Sequence, residues 1–220
     1  MNEYLLLKFA HIVAFVYWLG GDLGTFIASR HVVNGSLGTE ARATALKIML
    51  ACDQGPKLAM PLILPLGIHM AAISGVMQVP HWGLPLVWLL AVVWFTNVVV
   101  LYFNEGKAFT QCLSKADIVF RIAVVIALVV WAGLGLAEST VVGADWVWWK
   151  TLVFAALVSC GIAIRINLKP FVPAFMKLMS EGPSDAVNAA MSNSVARCRP
   201  FVWTIWAGLF VSAAIGLHII

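Results

Sequence analysis

Apolar residues in this chain come in long unbroken runs, not in the alternation of a half-buried strand. Six such runs stand out, at about 4–30, 58–78, 83–103, 118–137, 147–167 and 200–219. Each is near the ~20 residues a helix needs to cross the hydrocarbon core of a bilayer. Hydrocarbon offers the backbone no hydrogen-bond partners, so runs of this kind are expected to be helices. Two polar connections are longer than a turn. Residues 39–54 open on Thr39 as an N-cap and read as an amphipathic helix. Residues 184–197 open on Ser184 and read the same way, and each stretch is followed by a proline, Pro56 or Pro200, and then a span. The pattern predicts an all-α fold: a polytopic membrane helix bundle of six transmembrane helices with two cytoplasmic amphipathic helices. Residues 1–220 form a single integral membrane domain. Within it the order span, amphipathic helix, span predicts a two-part repeat, 1–80 against 145–220, with helices 3–4 inserted at 82–138.

Composition agrees with the pattern. The chain is 62% hydrophobic and 11% charged, whereas a soluble domain carries about 25% charged residues. The net charge of +4 is spread over short loops, so no nucleic-acid partner is implied. Twelve of the fourteen Lys and Arg residues lie in the 1–2, 3–4 and 5–6 connections or at the span ends that flank them. By the positive-inside rule those connections face the cytoplasm and both termini face the periplasm of a bacterial inner membrane. The start of the chain, with Asn2 and Glu3 and no basic segment, does not read as a cleavable signal peptide. Cys52, Cys112 and Cys198 then fall on the reducing side, and with no CxxC spacing a disulfide framework is not expected.

Ionisable residues inside an apolar span are costly, so each is a candidate for function. The first span holds His11 and Asp22, eleven residues apart. That is three helical turns, or roughly 16 Å, which puts both on nearly the same face. Phe15 and Trp18 share that stripe. His69, in the second span, is expected at the same depth as His11. Two buried imidazoles at one height suit the axial positions of a haem b, so His11 and His69 are the candidate metal ligands. Pro61 and Pro65 are expected to kink the second span and free carbonyls near His69.

Other residues have narrower readings. Lys150, at the outer start of the fifth span, is a snorkelling lysine, a second haem ligand or a partner for a propionate or substrate carboxylate. Asp22 is a candidate catalytic proton relay or the ion partner of Arg30. Asn97 reads as a helix–helix hydrogen bond. His81 and His218 read as interfacial, and Trp82, Trp88, Trp146, Trp148 and Trp149 as an aromatic belt. No P-loop, GxSxG, HExxH or dinucleotide fingerprint is present, which disfavours a soluble-type hydrolase or nucleotide enzyme.

Four segments carry a family resemblance. LKFAHIVAFVYWLGG (7–21) resembles the first helix of the HemJ-type membrane protoporphyrinogen oxidases and the related CopD-like membrane proteins, with His11, Trp18 and Gly20 on the matching positions. IMLACDQGPKLAMPLILPLG (48–67), WVWWKTLVFAAL (146–157) and RCRPFVWTI (197–205) look like that family's later segments, and the third places Lys150 on the family's lysine. The resemblance covers helices 1, 2, 5 and 6. It implies haem b, with His11 as an axial ligand and Lys150 as an essential residue; Trp18 and Arg30 are further candidates for binding the cofactor. The family's histidine two positions before that lysine is Trp148 here, and its Pro-Arg pair late in the first helix is absent.

The expected function is therefore a haem b membrane protein in redox or electron transfer, an oxidoreductase acting on a porphyrinogen or quinone or passing electrons to a partner subunit. Copper transport is the alternative, with Met60, Met70, Met77 and His69 supplying soft ligands along the second span. A cofactor-free subunit of a larger membrane complex, or an oligomer, is the third reading.

Overall fold

The computed structural model describes residues 3–104, 106–137 and 143–220. Asn2, and residue 138 at the end of the expected insertion, lie outside them. The described residues form eight helices in order: α1 (Glu3–Val32), α2 (Thr39–Cys52), α3 (Gln54–Ile73), α4 (Gly83–Phe103), α5 (Ala108–Leu136), α6 (Asp145–Asn167), α7 (Phe171–Glu181) and α8 (Asp185–Gly216). Six helical stretches are long and apolar enough to cross a membrane. An isolated antiparallel bridge between Met77 and Gly143 ties the α3–α4 connection to the start of α6.

The long helices pack as a ring, in the order α1, α3, α4, α5, α6, α8 and back to α1. The seams between α1 and α8 and between α4 and α5 are the sparsest of the six. Trp18, Ile63, Trp94, Phe154, Val158 and Leu209 lead the central core. A second core, with Val32, Met49, Leu178 and Met191, fastens α2 and α7 across the end opposite the termini. A third, with Ile68, Met77, Ala132 and Trp148, closes the end that carries both termini.

Several expected boundaries move. The segment 184–197 is not a separate helix: it is the first part of α8, which runs unbroken through Pro200. Proline removes one main-chain donor, but inside a packed bundle a long helix tolerates that loss. Ser184 does cap α8, its hydroxyl accepting from the Val187 N–H. The cap of α2 is Gly38, and Thr39 is already the first helical residue. The short helix in the last connection is α7, whose Phe171, Ala174 and Leu178 recur at helical spacing and bury one face. Gly182, at φ 87°, then turns the chain out of it. α3 ends at Ile73, where Gly75 at φ 71° breaks the helix before the expected limit. α5 starts ten residues before its apolar run, because Ser114, Asp117 and Arg121 find partners there. Helix α3 continues through Pro61 and Pro65. The carbonyls those prolines leave without a helical donor belong to Lys57 and Pro61, two turns or more below His69 and not beside it.

Trp148 does not belong to an interfacial belt. It is fully buried, with its ring 5.6 Å from that of Trp131 in an edge contact. Glycine at 143 makes the room, since a Cβ there would stand 2.6 Å from the indole. Trp82 and Trp149 are the exposed tryptophans of this end.

Candidate functional site

α1, α3, α6 and α8 part at the end that carries both termini and enclose a cavity of about 540 Å³. Its size falls within the range usual for small-molecule and cofactor sites. Phe15 and Trp18 from α1, Ile63 from α3, Phe154 from α6 and Leu209 from α8 form its deep apolar part. Trp18 and Phe154 meet edge to face there, 6.1 Å apart. Tyr4, Lys8, Trp146, Lys150 and His218 surround its outer part. From Tyr4 to Trp18 the wall descends fourteen residues of α1, roughly 21 Å. Among the described residues no carboxylate lines it, and the charge-bearing groups around it are lysine and histidine, with the Tyr4 phenol beside them.

His11 stands in the wall of this cavity, between its cationic rim and its aromatic floor. The absence of a side chain at Gly67 lets the ring in: a Cβ there would lie 3.3 Å from His11 Cε1 and 3.7 Å from Nδ1. Nδ1 is shut off from the cavity, and the ring makes a backbone hydrogen bond at Ile63 of α3. Lys150 faces the same cavity. Its Nζ lies over α8 at Gly216, where a Cβ would come within 2.7 Å of it.

His69 is not brought to this cavity. Gly67 faces His11, and two residues further along a helix is a rotation of about 200°, which aims His69 the other way. Its ring meets Trp88 of α4 at 6.3 Å, and its Nε2 lies 3.7 Å from Glu3 Oε1. The two imidazoles therefore do not clamp a common ligand. Arg30 does not pair with Asp22 either; its guanidinium stacks 4.7 Å from the centre of the Phe26 ring. Asp22 lies beneath the cavity floor, hydrogen-bonded to the Trp18 side chain, while its Oδ2 is buried without a partner. Its link to the cavity is thus through Trp18. His218, expected at the interface, lines the cavity rim and packs edge-on against Trp146 at 5.2 Å.

Met60 and Met70 of α3 and Met77 beyond its end do not form a ladder. Met70 faces the cavity, Met60 Sδ receives Arg121 Nη1 at 3.5 Å, and Met77 packs beside Gly143. Among the described residues, no three His, Cys, Asp or Glu side chains converge where a metal ion could sit.

A second polar cluster escaped the sequence reading. Asp117 of α5, almost fully buried, accepts from Arg121 Nε at 2.9 Å, from Arg165 Nη1 at 2.6 Å and from Asn97 Nδ2 at 2.9 Å. Arg165 also donates to the Ser114 carbonyl at 3.2 Å, and Arg121 lies over the Trp94 ring. Asn97 thus makes the helix–helix bond expected of it, and the cluster joins α4, α5 and α6. The Asp117–Arg121 spacing of four residues was a legible signal, but both basic residues had been read only as markers of topology.

Fold and site define an all-helical protein, with six helical stretches long and apolar enough to cross a membrane and an amphipathic cavity at one end of the bundle. No family model, curated protein or solved structure matches the chain. The likeness to HemJ-type and CopD-like proteins rests on the four segments quoted above.

Proposed function

We propose that this is a multi-pass protein of the bacterial cytoplasmic membrane, with both termini periplasmic, that binds haem b in the α1–α3–α6–α8 cavity and serves in membrane redox chemistry. One observation carries the reading: His11, anchored to α3 at Ile63, stands in the wall of a large apolar cavity rimmed by lysines. The residues fit such a group. His11 would offer a neutral imidazole to the iron. Phe15, Trp18 and Phe154 give flat apolar walls that exclude water, and Lys8 and Lys150 offset the charge of propionates at the rim. Asp22 accepts the Trp18 hydrogen bond and so holds the indole on the cavity floor. Haem, when bound, supplies one-electron chemistry; a porphyrinogen dissolved in the membrane would be an electron donor, and a quinone or a partner subunit the acceptor.

The reduced-minus-oxidised spectrum of the purified protein tests this. The wild type is expected to show a Soret and an α band, His11→Ala to lose them, and His69→Ala to keep them. A wild type without a haem spectrum, or one unchanged in His11→Ala, sinks the reading. Copper transport has less support, because Met60, Met70 and Met77 face three different surroundings.

A further inference from the structure

The α1–α8 seam is closed at one end and open at the other. In the half away from the termini, Phe26 and Trp206 meet at 5.2 Å, and Arg30 caps Phe26. In the half toward the termini the two helices part around the cavity. There α8 presents Ser212, Ala213 and Gly216, all lining residues and all too small to fill the gap. On α1 the facing wall includes Ile12, which is 50% exposed as well as lining the cavity. Leu217 has the same double character, at 68% exposure. Cavity wall and lipid-facing surface are therefore continuous across this seam. Lys150 reaches across the cavity from α6 to α8 at Gly216, which puts an ammonium at the top of the gap.

We infer that the cavity is a lateral portal: it takes its ligand from the lipid of the leaflet beside the termini, between the outer halves of α1 and α8, and not from water. The ligand class is a membrane-dissolved amphiphile with an anionic head. Its apolar body slides past Ile12, Ser212 and Ala213 to rest on Trp18 and Phe154, while its head stays with Lys8 and Lys150 at the headgroup level. The identity of the ligand as haem rests on the reading above; the portal itself does not.

Thiol labelling of the full-length protein in liposomes separates the two. In a background with Cys52, Cys112, Cys160 and Cys198 replaced by alanine, Ser212→Cys reports on the seam. Ala213→Cys serves as a second reporter should the first fail to fold, and Val211→Cys, on the exposed face of α8, as the lipid-facing reference. Each is treated with a lipid-dissolved maleimide and with a charged, membrane-impermeant sulfonate reagent. The portal predicts that the seam cysteine reacts with the lipid-dissolved reagent as fast as Val211→Cys does, with loss of labelling by the sulfonate. Rapid labelling by the sulfonate would show an aqueous mouth, and no labelling by either would show a closed seam; each overturns the inference. Haem-loaded protein supplies the remaining arm. Protection of the seam cysteine supports a shared cavity, whereas open labelling with haem retained elsewhere moves the haem away from this cavity and leaves the portal standing for another amphiphile.

Discussion

Gly67 settles which imidazole faces the cavity. The room it leaves is filled by the His11 ring, and that contact fixes the rotation of α3 so that His69 turns toward Trp88. Gly67→Leu is therefore expected to displace His11 and to weaken haem binding by about 10–100-fold, the scale of lost supporting contacts at a metal ligand. Gly20→Leu, at a position with open space around it, is expected to leave the spectrum unchanged. Titration of both variants with haem checks this. Arg42 is a different case. It is fully buried, and its side-chain hydrogen bonds go to neutral acceptors. Its Nε donates to the Val32 carbonyl at 2.8 Å, and its Nη1 to Asn188 Oδ1 at 2.9 Å. Val32 ends α1, so the guanidinium meets the negative end of a helix dipole. Arg42→Ala should destabilise the fold by about 2–5 kcal/mol, and Arg42→Lys should restore little of it, because a single ammonium cannot reproduce the fork. Thermal unfolding in detergent reads both.

At the scale of elements, the positions of helix ends follow from caps and partners more than from hydropathy. Ser184 starts α8 through its hydrogen bond to the Val187 N–H. Ser184→Ala should cost about 1 kcal/mol, seen as a lowered unfolding midpoint. α5 extends below its apolar run because Asp117 accepts from Asn97 of α4 and Arg165 of α6. Two guanidiniums share the Asp117 carboxylate, so its removal strands both charges together. Asp117→Ala should destabilise the bundle by about 3–5 kcal/mol, the cost of breaking a buried ion pair by deleting one partner. The same unfolding assay checks it, with Cys112→Ala, at an exposed site on the same helix, as the neutral reference.

For the whole molecule, the distribution of basic residues predicts the topology. Fusion of alkaline phosphatase after Ile220 is expected to be active, and fusion after Ser180, in the connection that holds α7, to be inactive. The reverse pattern would invert the orientation and place the cavity in the cytoplasmic leaflet. Within the bundle, the two sparse seams divide the ring. One is pinned by Phe26 and Trp206 and opens beyond them. The other, between α4 and α5, is held by Asn97 and Asp117.

The chain's own letters determined the six long apolar helices, the two candidate imidazoles, the lysine of α6 and the sorting of charge to one end. Those properties are additive along the chain: a span is a sum of transfer preferences over about twenty residues, and needs no neighbour to define it. Only the tertiary structure decided that His11 and Lys150 share a cavity while His69 and Arg30 turn elsewhere. It also decided that Trp148 is core, and that Asp117 gathers two arginines. Such facts depend on the rotation of each helix about its axis and on which helices touch, and a small residue such as Gly67, Gly143 or Gly216 sets them by what it leaves empty.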